Sequence, residues 1–276
     1  MKSKIAASVF SLIFVNFSFA HCSSKIVDLT YSFDKNTIYW PTEKGFDLKT
    51  VSYGMTPDNY FYSAFKFYAP EHGGTHLDAP HHYSKNGLTV DKILPAQLTG
   101  SALVIKINKQ AQAKKDYAIT VKDIQNFEKK YRPLSNQDIV LFYTGWSKYW
   151  NNKKKYLGSD KPGDTKNLHF PGLSKDAAEY LVSRKIKGVG LDTASLDPGN
   201  SKDFLAHRTL LGANLFGIEN LDKLDLLPPI GATIIVAPMK IAGGSGGPAR
   251  VFVFVPAQNN GIDEKNIKEE GSCLIK

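Results

Sequence analysis

The chain has 276 residues, 42% of them hydrophobic and 22% charged, with a formal net charge of +9. This balance excludes disorder, collagen and a coiled coil, and the length admits one large domain or two small ones. Beyond the N-terminus no apolar run reaches the ~20 residues of a membrane span, which excludes a multi-span membrane protein.

In chain order, the first segment reads as an export signal. Lys2 and Lys4 form a basic start, Ile5 to Phe19 is mostly apolar, and Ser18-Phe19-Ala20 has the form of a cleavage site. Cleavage after Ala20 is expected, leaving a secreted or periplasmic chain, 21–276, with no stable membrane insertion. Cys22 and Cys273 then stand at its two ends. A bridge tying the termini and two thiols that never meet are both open.

Lys25 to Tyr31 reads as a strand, and aromatic-rich Tyr60 to Tyr68 as another, running into a histidine cluster. Ser101 to Ile107 and Asp138 to Tyr143 are apolar runs of strand length. Thr120 to Arg132 predicts a helix with Thr120 and Asp123 in capping-box spacing. Asn151 to Thr165 is polar and lysine-rich and reads as a surface loop. Ser174 to Lys185 predicts a second helix and Lys187 to Leu191 a short strand. Ser201 is the expected cap of a helix over Lys202 to Leu211, ended by Gly212. Ala232 to Ala237 and Arg250 to Val255 read as buried strands flanking a glycine-rich turn, and the tail after Asn259 as mobile. The mixture predicts a single α/β domain with helices packed on a sheet and a core over about 26–255. The lysines are scattered and accompany no nucleic-acid motif, so the basic charge reads as a solvated surface.

Four of the seven histidines fall within eleven residues: His72, His76, His81 and His82. Imidazole and carboxylate are natural ligands of zinc, manganese or iron. Gly73, Gly74 and Pro80 argue against a helix here and for a tight turn followed by an extended piece. In an extended piece His76 and Asp78 point the same way, and the glycines let His72 return beside them. His72, His76 and Asp78 then make a facial set that leaves open positions for water and substrate. His207 shares a helix face with Phe204, Leu210 and Leu211, where a histidine must find a partner. Glu219, flanked by apolar residues, is costly to bury without a cation. Each of these two also has a bland reading, as a satisfied core histidine and as a turn or salt-bridge residue.

The run HGGTHLDAPHH resembles the His-x-Gly-Thr-His-x-Asp-x-Pro-x-His signature of the cyclase family of metal-dependent hydrolases, which includes bacterial-type kynurenine formamidase (arylformamidase) and isatin hydrolase. The resemblance extends to His207, Glu219 and the stretch Pro238 to Arg250, and covers about Ile26 to Val255. It implies that His72, His76 and Asp78 bind one metal, and that His207 and Glu219 complete a second, with Asp78 and Glu219 bridging. It implies His82, not His81, as the acid–base residue, and Trp40 as an aromatic residue against the substrate. One or two zinc or manganese ions, a swivelling β/β/α fold and a homodimer or homotetramer follow from it in the same way. Gly243 to Gly247 and Leu191 to Asp197 look closer to the isatin-hydrolase side.

The expected reaction is hydrolysis of a C–N amide bond in a small aromatic substrate, an arylformamide such as N-formylkynurenine or a cyclic amide such as isatin. A divalent metal lowers the pKa of bound water towards about 7, giving hydroxide for the attack, while His82 moves the proton. Two rivals stand beside it. Gly-Gly-Ser245-Gly-Gly fits a serine-hydrolase elbow, but a strand rather than a helix follows, and no histidine lies beyond His207. A secreted metal- or ligand-binding module without catalysis would more often use a closed, cysteine-rich site. The Asp192, Thr193, Ser195 and Asp197 cluster reads as a capped turn ahead of a site contribution, and Trp146 and Trp150 as packing residues.

Overall fold

The computed structural model describes residues 24–257. The export signal, Cys22, Cys273 and the tail after Asn259 lie outside the described residues. The strands are β1 (Lys25–Asp28), β2 (Asp47–Met55), β3 (Phe61–Tyr68), β4 (His76–Asp78), β5 (Thr99–Lys106), β6 (Ala118–Ile119), β7 (Asp138–Tyr143), β8 (Gly172–Leu173), β9 (Gly188–Leu191), β10 (Phe216–Glu219), β11 (Ala232–Pro238) and β12 (Gly246–Val255). The helices are α1 (Asn108–Ala113), α2 (Val121–Lys130), α3 (Lys153–Leu157), α4 (Lys175–Ser183) and α5 (Leu205–Gly212). No helix among the described residues is long and apolar enough to cross a membrane.

The main sheet is mixed and closed, in a single α/β domain. Its order is β1-β12-β11-β5-β7-β9-β10-β4, and β4 returns to pair with β12. The run β5, β7, β9, β10 is parallel, and the remaining pairs are antiparallel. Strand periodicity explains why β5 and β7 are apolar throughout, since both their faces are covered. Ala102, Val104, Ile139 and Leu141 point into the barrel with Leu77, Ile218, Ile234, Val251 and Val253. Their neighbours Leu103, Ile105, Val140 and Phe142 point outward against α2, α4 and α5, where Ile124, Phe127, Leu181 and Leu210 meet them. The Thr120 capping box forms as expected at the start of α2.

Three local expectations are corrected. Within Asn151 to Thr165 the chain forms α3, capped by the Asn152 side chain, and buries Tyr156 and Leu157 in a third core with Trp146 and Phe170. The helix expected over Lys202 to Leu211 starts at Leu205 and includes Gly212. Its first amides are taken not by Ser201 but by Asp197, whose carboxylate accepts from Ala206 N (2.8 Å) and His207 N (3.0 Å). The glycine-rich stretch is only partly a turn: Gly246 and Gly247 already belong to β12 and pair with Asp78 and Leu77.

Candidate metal centre and active site

β4 is the keel of the site, held between β10 and β12. Its three residues are buried, and alternation sends Leu77 into the barrel and His76 and Asp78 to the other side. The antiparallel register sets Glu219 directly opposite His76, so two side chains 143 positions apart share one face. The turn before β4 needs its glycines. Gly74 has a left-handed φ of +57°, and a Cβ on Gly246 would stand 2.5 Å from Leu77 O and 2.7 Å from His72 Cε1.

Around Asp78 the expected residues converge. His72 Nδ1 lies 2.7 Å from Asp78 Oδ1, and His76 Nε2 lies 3.2 Å from the same oxygen. His207 Nε2 lies 3.3 Å from Asp78 Oδ2 and 3.1 Å from Glu219 Oε1, and His76 Nε2 is 3.5 Å from Glu219 Oε2. The groupings with ligand atoms all within 4.8 Å of one another are His72, Asp78, His82 and His76, Asp78, Glu219. His82, expected as the acid–base residue, therefore stands at ligand distance too, its ring stacked on His72 with centroids 3.8 Å apart.

Two buried atoms, His76 Nε2 and Asp78 Oδ2, have no hydrogen-bond partner. A buried acceptor and an imidazole nitrogen left in this way beside a second carboxylate are costly unless a cation joins them. The protonation of the metal-free cluster says the same. Burial alone would lower the pKa of His76, but Asp78 and Glu219 outweigh it and hold it up to about 9. His207 is raised well above its usual value, burial being overcome by Asp197, Asp78 and Glu219. Asp78 is lowered despite burial by its three histidines, whereas Glu219 is raised by burial and by Asp78. Protons on histidine thus balance the carboxylates, a task a dication can take over.

Further residues orient these. His207 Nδ1 meets Asp197 Oδ2 at 2.7 Å, leaving Nε2 for the centre. His76 Nδ1 meets Gly74 O at 2.9 Å, and that carbonyl also accepts from Asn220 Nδ2 (2.7 Å), whose Oδ1 accepts from the Tyr156 hydroxyl (2.8 Å). Fixing one imidazole nitrogen in this way presents the other to a metal. Asp192 does what the capped-turn reading expects, accepting from the amides of Thr144, Trp146 and Ser147. Asp197 caps α5 and orients His207 as well.

The centre opens into a cavity of about 340 Å³. Trp40 lines it, joined by Tyr39, Tyr83 and Phe204. Trp40 and Phe204 have ring centroids 6.2 Å apart, and Tyr83 and Phe204 5.7 Å, so aromatic faces line the space beside the histidines. His82 also lines it, and burial holds its pKa down to about 4. His81 is not among the lining residues. Tyr83, Phe204, Asn220 and Asp197 were not singled out for these duties in the sequence. Tyr83, adjoining His82, and Asn220, adjoining Glu219, are the two that adjacency flags.

The family model described as "Putative cyclase" matches residues 27–198. A relative named isatin hydrolase, from Roseibium aggregatum, is 35% identical over 195 residues, covering 67% of this chain and 72% of its own. A kynurenine formamidase from Sphingopyxis alaskensis is 26% identical over 230 residues, covering 83% and 98%. Among solved structures, an isatin hydrolase bound to the product analogue thioisatinate superposes with a TM-score of 0.77 at 32% identity, over 85% of this chain and 93% of that one.

Proposed function

The chain belongs to the cyclase family, and from that premise we propose that it is a metal-dependent amidohydrolase that opens a C–N amide bond in a small aromatic substrate. The observation that carries this reading is the pair of unpartnered buried atoms, His76 Nε2 and Asp78 Oδ2, at the floor of an aromatic-walled cavity. The residues fit one or two zinc or manganese ions, with His72, His76, Asp78, His207 and Glu219 as the holding set. When bound, such an ion supplies a Lewis acid for the carbonyl and acidifies water.

The chain's own groups do the rest. Trp40, Tyr83 and Phe204 hold the substrate ring flat against the cavity wall. His82, kept neutral at pH 7 by burial, accepts a proton from the attacking water and returns it to the leaving nitrogen. Water thereby adds across the C–N bond, oxygen to the carbonyl carbon and hydrogen to nitrogen. A cyclic amide such as isatin is the preferred substrate, supported by the higher identity to the isatin hydrolase (35%) than to the formamidase (26%). An arylformamide such as N-formylkynurenine is the alternative within the same chemistry. Export as a secreted or periplasmic enzyme is part of the proposal and rests on the Lys2 to Ala20 pattern alone. Side-by-side assays on isatin and N-formylkynurenine test the substrate, and turnover of neither contradicts the reading.

A serine hydrolase has one observation in its favour. Ser245 Oγ lies 2.9 Å from His72 Nε2, whose Nδ1 faces Asp78, the order of a catalytic triad. Glu71 argues against it: its Oε2 accepts from both Ser245 Oγ (2.5 Å) and Ser245 N (3.0 Å). The serine proton is thus directed to a carboxylate rather than to His72, and a negative charge sits where an oxyanion would need donors. Ser245 also does not line the cavity. Loss of all activity in Ser245→Ala, with activity insensitive to chelators, would select this reading.

A further inference from the structure

Four carboxylates line the cavity over the centre, and exposure ranks them by depth. The side chains of Asp78 and Glu219 are 0% and 6% exposed at its floor, that of Glu71 is 30% exposed, and Glu43 stands exposed at the mouth. One dication at the floor balances Asp78 and Glu219, which leaves Glu71 and Glu43 as the unbalanced charge. Glu71 is held by the Ser245 amide and hydroxyl. Glu43 closes a turn in which its amide donates to Trp40 O (2.9 Å). No lysine or arginine is among the described residues that line this cavity. Lys35, Lys148 and Lys153 line a separate polar cavity of about 1,050 Å³, which shares only Tyr39 and Glu43 with the first. Tyr39, Trp40, Tyr83 and Phe204 supply aromatic faces between floor and mouth, and the buried Tyr39 hydroxyl has no partner.

We propose that this cavity selects its substrate by charge, with Glu43 as the specificity-determining residue. An aromatic amide with an alkylammonium arm is taken ahead of a neutral one, and one with a carboxylate arm is turned away. The proposal rests on the amidohydrolase reading above and names its substrate class. Aromatic faces bounded by carboxylates, with no opposing cation, favour an organic cation through ring quadrupole and charge together. A ring lying on Trp40 with its amide at the floor points its far substituent to the mouth, where Glu43 stands. The Tyr39 oxygen adds an acceptor for an ammonium proton. A carboxylate arm in that place meets like charge and finds no guanidinium or ammonium to pair with. This preference runs against the net charge of +9, because a field screened within about 8 Å leaves the nearest groups to decide.

The test uses metal-loaded protein with the aminomethyl and carboxymethyl derivatives of two parent rings, isatin and formanilide. For the parent that is hydrolysed, kcat/KM of the aminomethyl compound exceeds that of the carboxymethyl compound by about tenfold, the combined attraction and repulsion of partly exposed charges at contact. The difference lies in KM, because the arm is remote from the bond that breaks; a substituent acting through the ring would move kcat. Glu43→Gln lowers the ratio to about threefold or less, and Glu43→Lys inverts it. Asp34→Asn keeps the ratio, since Asp34 lines only the second cavity. Should neither parent be turned over, the catalytic reading fails by itself. Calorimetric binding of the corresponding acetanilides to zinc-loaded protein then carries the test, with the same order expected. In either assay, a wild-type ratio of one or below, or a ratio unmoved by both Glu43 variants, would overturn the proposal.

Discussion

His76 and His207 each have one ring nitrogen committed to the protein and one aimed inward, and this division governs the response to pH. His76 holds its proton up to about 9 in the metal-free protein, and a metal must displace that proton. Affinity for zinc or manganese is therefore expected to rise with pH, about tenfold per unit for this one proton, and to level off above pH 9. Calorimetry in buffers of different ionisation enthalpy will read the released protons. The metal-free fold behaves in the opposite sense. Because the folded pKa of His76 exceeds its ordinary 6.5, the stabilisation it gives is complete below about 6.5 and lost as pH rises through 9. Chelated protein should have a lower urea midpoint at pH 9 than at pH 6.5. His82→Ala is expected to lose about 10²-fold or more of turnover while elemental analysis finds the metal retained. Loss of metal with activity would make His82 a ligand, which its distance from Asp78 permits. At this scale the signature from His72 to His82 was readable because its chemistry is dense and local. His207 and Glu219 were readable as polar groups amid apolar neighbours. The duties of Asn220 and Asp197 were not, because they arise from which carbonyl or ring the fold brings to them.

Strand β4 supplies three residues, and its two neighbours give them their geometry. Gly246 on β12 passes so close to Leu77 O and His72 that Gly246→Val should cost about 1–3 kcal/mol in a urea melt. The same change should displace His72 and reduce metal content. Helix α5 depends on Asp197 for its first amides and for the ring of His207. Asp197→Asn is accordingly expected to weaken metal binding by about 10- to 100-fold, measured by competition with a chromophoric chelator. Unchanged affinity would reduce Asp197 to a helix cap. Element boundaries were less legible than element types. Asp197 lies eight residues before Leu205, so the cap of α5 is not local, whereas Ser201 is a local candidate. β2 is not legible in the sequence because its residues are largely exposed on both faces, leaving no alternation of buried and solvated positions. α3 was hidden by its lysines, which mask the two buried residues Tyr156 and Leu157.

For the whole molecule, the centre ties β4 and β10 of the closed sheet to α5, so an ion bound there links segments from residue 72 to residue 219. Binding to the folded state alone raises stability by mass action, about 2.7 kcal/mol when free metal stands at a hundred times its Kd. The α/β class was legible from the alternation of strand and helix patterns, whereas ring closure through the β4–β12 pair was not, since β12 begins in glycines that read as a turn. The most direct measurement is hydrolysis of isatin and N-formylkynurenine by one preparation before chelation, after exhaustive metal removal, and after stoichiometric return of zinc or manganese. Turnover of at least one substrate is expected, with loss when the metal is removed and recovery on its return; full activity in the metal-free protein would show that no metal takes part.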